Sequence, residues 1–233
     1  MSNDEIRYYK VDSRKIRYSE CWRICKKTSF FKAAAAKFFS IPIDIQMAIP
    51  RFENLTIVEP AKIPRHVQDA ITPSLAECAQ LDLKLQFVYR VPMLSQNLSF
   101  AAAMLNADGT IVSVVHYVQS PQRVVIAFNC FTKFSDGRLM GTSNHPKKFD
   151  SPSWSYPESM PGSSVKTIFM RHTERLKEMC VSCRVAIAPA DLETVIVELI
   201  VRTIDEKIAR KVFVPMSESE VENLKRKLGI VDS

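Results

Sequence analysis

From Lys84 to Thr142 apolar side chains recur at every second position, with turn signals at Asn106-Ala107-Asp108-Gly109, Ser120-Pro121 and Asp136-Gly137. Side chains of an extended chain alternate between the two faces of a sheet, so such a run specifies antiparallel strands laid side by side. Asn, Asp and Gly tolerate the positive φ that tight turns demand. Pairing Leu105 with Thr110 sets Met104 opposite Ile111, Ala102 opposite Ser113 and Phe100 opposite Val115. A short turn at Ser120-Pro121 sets Val115 opposite Ile126 and Tyr117 opposite Val124. Pairing Ser135 with Arg138 adds Leu139 to a face already holding Val124, Ile126, Phe128, Cys130 and Phe134. These registers agree with one another and give one continuous apolar face, as a half-buried meander requires. The opposite face carries Val114, His116, Ala127 and Asn129. It is semi-apolar, and a second layer or a ligand is its expected cover.

Helical spacing frames the meander. Thr72-Pro73 reads as a helix start, with a hydroxyl at the N-cap and proline in the first turn. Val165, Ile168, Phe169, His172, Leu176, Met179, Cys180 and Cys183 keep one stripe over 163–183. Leu192, Val195, Ile196, Leu199, Ile200, Ile204 and Ile208 keep another over 190–212, and Val197 and Val201 give that helix a second apolar side. Ser217 and Glu220 form a capping box for a short charged final helix. The expected fold is therefore α+β: an antiparallel meander sheet of about five strands, covered on one face by two long C-terminal helices. A basic amphipathic N-terminal helix over 17–39 precedes it. Two units follow from this: an arm over 1–40 and a single α+β domain over 41–233, with a long Pro/Ser-rich loop at 143–163.

The arm carries the charge. Its first 39 residues hold ten Lys or Arg and four Asp or Glu, and account for +6 of the chain's +7. Eight of the 21 aromatic residues lie there as well. A basic, aromatic surface suits an anionic and partly apolar partner. Arg14, Lys15, Arg17, Trp22, Arg23, Lys26, Lys27, Phe30, Phe31 and Lys32 are the expected contacts. The alternative is that this helix packs on its own domain, with its basic residues solvating the outer side. No apolar run approaches the length of a membrane span, about 20 residues. The first residues lack the pattern of a secretory signal, and six cysteines at mostly apolar positions read as buried thiols. The cytoplasm is the expected location, with peripheral attachment to a membrane as one option.

Glycine bounds the chemistry. Only five of 233 residues are glycine, about 2% against a usual level of about 7%. Neither the dinucleotide fingerprint nor the P-loop can be written with them, so nucleotide functions of those types are excluded. No cofactor is implied. Cys180 and Cys183 form a weak metal pair: they would need two further ligands, and His172 lies too far along the same helix to supply one. His172 itself reads as a satisfied core histidine.

Three functional readings remain. First is a non-enzymatic binding or accessory protein, attached through the arm to an anionic membrane surface or a protein assembly. Second is nucleic-acid or ribonucleoprotein binding through the same arm. Third is an enzyme whose pocket lies under the 143–163 loop, drawing on His116, His145, Trp154 and Tyr156. Such a loop also reads as an ordinary proline-stiffened wrap around the domain. That third reading requires a concavity in which a polar side chain of the loop meets His116.

Overall fold

The computed structural model describes residues 6–24, 33, 34, 38, 48–94, 98–120, 123–179 and 183–228. Strand β1 (Arg7–Val11), helix α1 (Tyr18–Ile24), strand β2 (Ile49–Arg51), strand β3 (Thr56–Val58) and helix α2 (Arg65–Gln80) come first. The central strands follow: β4 (Lys84–Arg90), β5 (Leu98–Leu105), β6 (Val112–Ser120), β7 (Arg123–Lys133), β8 (Leu139–Ser143) and β9 (Ser155–Ser159). Helix α3 (Val165–Lys177), helix α4 (Leu192–Ala209), strand β10 (Phe213–Pro215) and helix α5 (Glu218–Lys227) complete the chain.

Among the described residues, β3 to β9 form one seven-stranded sheet in chain order, and β10-β1-β2 form a small second sheet. The large sheet is mixed, because β9 runs parallel to β8. It therefore exceeds the five-stranded antiparallel meander expected from the sequence by an edge strand on each side. β3 lies between Pro50 and Pro60, and β9 lies inside the stretch read as a loop. Both are too short and irregular to show a period of two: β9 reads Ser-Tyr-Pro-Glu-Ser. Its proline is tolerated because β9 ends the sheet's strand order.

The expected helix cover is also corrected. α2 and α3 share one face, where Val67, Ile71, Ile168 and Leu176 meet Phe100, Met104, Tyr117 and Phe128. α4 lies on the opposite face, where Leu192, Val195 and Ile196 meet Ala101, Ala103, Leu105 and Val112. The two long C-terminal helices thus cover different faces. The physical reason was present in the residues: both faces of β5 and β6 are apolar, and a sheet apolar on both sides needs two covers. Each large side chain buried this way contributes about 1.5–3 kcal/mol.

The first two hairpins are longer than expected, so Phe100 pairs with Tyr117 and Val115 with Phe128. Each slip is two residues and leaves every side chain on its expected face. At Asn106 the loop is closed by Asn106 Oδ1, which accepts from the Ile111 amide at 2.8 Å. The third hairpin slips by one. The Phe134 amide donates to Arg138 O and the Gly137 amide to Phe134 O, with Gly137 at φ 79°. That is a three-residue loop closed by a left-handed glycine instead of a two-residue turn. Lys133 then pairs with Leu139. Met140, 2% exposed, enters the first core in place of Leu139, which turns to the α4 side.

α2 starts before the expected Thr72-Pro73 signal and carries Pro73 inside it. The proline removes one backbone donor, but the buried Val67 and Ile71 lie upstream of it and anchor the first turns on the sheet. The Ser217–Glu220 capping box forms.

The N-terminal residues join the body. β1 pairs with β10 and β2, and Tyr9, Val11, Ile16 and Cys21 pack with Ile204, Val212 and Phe213. α1 covers the first turns of the helix expected over 17–39; most of the remainder lies outside the described residues.

Candidate functional site

Between α4 and the face of the sheet it covers lies an open cavity of about 770 Å³. Two cross-strand rows contribute to it. One row runs Tyr89, Ala101, His116, Ala127, and the next runs Phe87, Ala103, Val114, Asn129. Tyr89 and His116 of the first and Val114 and Asn129 of the second line the cavity, together with Val91, Phe131 and Leu139. The far wall is Ile196, Leu199, Ile200 and Ile204 of α4, spaced at helical intervals. Ala48, Ile49, Pro50 and Phe52 line one end. The volume falls within the range of about 300–1,000 Å³ usual for small-molecule sites, and a mostly apolar lining with few polar groups is their usual chemistry.

His116, Asn129, Thr203 and Lys148 supply most of the polarity. His116 Nε2 lies 2.8 Å from the Ser99 Oγ, and Ser99 is 1% exposed. Burial, with a smaller contribution from His145, pushes the His116 pKa down to about 4. Its imidazole is therefore neutral near pH 7.

Lys148 arrives from the 143–163 stretch, which is pinned at Asp150. The Asp150 amide donates to Glu20 Oε1 at 2.8 Å, and its carbonyl accepts from the buried Lys207 Nζ at 2.7 Å. The Asp150 carboxylate is paired with Arg17 at 3.0 Å and with Arg23. Among the described residues the cavity lining thus gains the Lys148 cation, while the carboxylate two residues on is held by Arg17 and Arg23. Arg123 and Lys148 both lower the His145 pKa after desolvation does, and Arg123 likewise lowers that of Lys148. Among the described residues Arg123, His145 and Lys148 form no ion pair.

The expected pocket set is divided by the structure. His116 lines the cavity; His145 is exposed beside the rim. Trp154 is half-buried under the Arg202 guanidinium, 4.0 Å from its ring centroid, and Tyr156 is 44% exposed beneath Arg138. Neither aromatic lines the cavity.

The arm residues are divided as well. Arg14 is paired with Asp12, Arg17 and Arg23 are paired with Asp150, and Lys15 is exposed. Trp22 and Tyr18 are each 49% exposed. Lys26, Lys27, Phe30, Phe31 and Lys32 lie outside the described residues. So does Cys180; Cys183 packs against the first core. Among the described residues no three His, Cys, Asp or Glu side chains gather as a metal site would need.

His172 is wholly buried and fully satisfied. Thr132 Oγ1 donates to Thr110 O at 2.9 Å and so accepts from His172 Nε2–H at 3.1 Å. Thr142 Oγ1 receives the Arg175 guanidinium at 2.9 Å and donates to His172 Nδ1 at 3.0 Å. This directed chain fixes one neutral tautomer. Burial first, then Arg175 and Arg184, push its pKa down to about 3.

The sequence places His116 on a semi-apolar face and Lys148 on the neighbouring loop, and both line the cavity. Sequence reasoning missed Leu139, which depended on a one-residue register, and the role of α4 as the opposing wall. The second apolar side of α4 was the available signal. Comparison of the chain with protein-family models, with curated proteins and with solved structures gives no match.

Proposed function

We propose that this chain is a non-enzymatic binding protein whose gallery, between the sheet and α4, takes a small, largely apolar molecule. The observation that carries this reading is the cavity itself, about 770 Å³ with walls of Val, Ile, Leu, Phe and Tyr. Among the described residues this apolar lining faces open space, and an apolar guest would remove it from water. Lys148 of the 143–163 stretch lines the same cavity as His116, the convergence that a catalytic reading requires, but the state of the polar groups favours binding. A histidine with its pKa near 4 is a weak base at neutral pH, and its Nε2 is already engaged by Ser99. The test is titration with 1-aminoanthracene, a neutral apolar fluorophore. Saturable binding to one site is expected, weakened at least tenfold by Val114→Trp or Leu199→Trp, which fill the gallery from opposite walls. Thermal unfolding confirms that each variant folds. Undiminished binding in both filled variants would remove the reading's support.

A second reading keeps the arm as a docking element on an anionic membrane. Supporting it, Tyr18 and Trp22 stand four residues apart on α1, half exposed, with exposed Lys15 beside them. Paired aromatic and basic groups suit a headgroup boundary. Against it, Arg17 and Arg23 are committed to Asp150. Sedimentation with phosphatidylserine vesicles tests it: Trp22→Ala with Lys15→Glu is expected to abolish binding, and an unchanged bound fraction defeats the idea.

A further inference from the structure

The gallery is apolar along its length but not neutral at its edge. Among the described residues Lys148 is the one lining residue with a full charge, and neither it nor Arg123 forms an ion pair with an acid there. Arg123 and His145 are close enough for each to act on its neighbours electrostatically. Asp150 is two residues from Lys148, yet its carboxylate faces Arg17 and Arg23. Elsewhere some cations do meet acids: Arg171 and Arg175 share Glu158, and Arg51 holds Asp205. Like charges drawn together beside an apolar wall raise each other's energy, and a bound anion relieves them.

Resting on the reading of the gallery as a binding site, we propose that its ligand is a single-chain amphiphile with a carboxylate head. The chain lies between Val114 and Phe131 on the sheet and Leu199 and Ile200 on α4. The head meets Lys148, with Arg123 behind it. A free long-chain carboxylate fits both halves of the site: an apolar slot open at one side, and a cationic group at the mouth that needs an anion. A neutral chain satisfies only the slot, and a cationic amphiphile is repelled at the rim.

The test compares three probes with the same chain and different heads: dodecanoate, dodecanol and dodecylammonium, each below its aggregation limit. Affinities are read by displacement of 1-aminoanthracene. The wild-type protein is expected to bind dodecanoate at least about tenfold more tightly than dodecanol, about 1.4 kcal/mol, and dodecylammonium most weakly. The preference for dodecanoate should shrink as salt is raised. Lys148→Gln should erase most of the preference, and Lys148→Glu should reverse it. Lys148 is exposed, so both variants are expected to unfold at the wild-type temperature. Equal affinity for dodecanoate and dodecanol in the wild type overturns the carboxylate inference while the gallery reading survives. A preference retained in Lys148→Gln overturns the assignment of the head to Lys148. Failure of all three probes to displace the fluorophore overturns the inference, and failure of the fluorophore itself to bind removes the gallery reading beneath it.

Discussion

Removing the Glu20 carboxylate is expected to loosen the attachment of the N-terminal segment to the body. Glu20 is 0% exposed and meets donors only. Oε1 accepts from the Asp150 amide at 2.8 Å and Oε2 from the Arg17 amide at 2.7 Å, and Arg210 reaches both oxygens at 2.8 and 2.9 Å. Breaking a buried, hydrogen-bonded ion pair by removing one partner costs about 3–5 kcal/mol, and Arg210 keeps some solvent contact, so about 3 kcal/mol is expected for Glu20→Ala. Glu20→Gln is expected to cost nearly as much. Whichever way the amide is turned, its NH₂ faces a backbone amide and the guanidinium, donor against donor. Burial alone raises the Glu20 pKa, but the Arg17 and Asp150 amides and Arg210 outweigh it and hold it below the usual value. The native state therefore binds the proton less readily than the unfolded chain. This stabilisation is full above the unfolded value of about 4.3, and is lost as pH falls through the lower native value. Urea unfolding at pH 7 and at pH 3 measures both effects. An unfolding free energy of Glu20→Gln within about 0.5 kcal/mol of wild type at pH 7 would refute the donor-only geometry.

Gly109 and Gly137 both have positive φ, so alanine at either is expected to cost about 1–2 kcal/mol from backbone conformation. Only Gly109→Ala also drives a Cβ to 2.6 Å from Ile187 O, while Gly137 has nothing within 4 Å, so thermal unfolding should rank Gly109→Ala clearly lower. His172, with its pKa near 3, refuses a proton that the unfolded chain accepts near pH 6.5, so stability rises with pH across that interval. Between pH 5.5 and 4.5 wild type is expected to lose about 1.4 kcal/mol more than His172→Phe in urea titrations; parallel losses would contradict the buried neutral imidazole.

Much of the fold was legible because β5, β6 and β7 are long, β7 alternates cleanly and the turns joining them imply mutually consistent registers, which made their side-chain faces robust even to a two-residue slip. Leu139 shows where legibility stops. A two-residue and a three-residue turn both suit Asp-Gly, and the choice between them moves Met140 into the core and Leu139 toward α4. β3 and β9 are only three and five residues long, and are held by neighbours instead of by a pattern of their own. At the site, His116 stood out because its face was too apolar to be solvated. The cover for that face, α4, is far along the chain, and no local signal says which side of a sheet a helix will take. The arm's charge was visible as composition. Its partial neutralisation was not, because Asp150 lies 133 residues from Arg17.

The most direct test of the gallery is methyl-resolved NMR of the folded chain, with Ile, Leu and Val methyl groups labelled and 1-aminoanthracene added. The methyl resonances of Val114, Leu199 and Ile200 are expected to shift together and saturate. Those of Val67, Ile168 and Leu176, on the other side of the sheet, should stay in place. Shifts confined to the second group, or spread evenly over both, would contradict a ligand held between the sheet and α4.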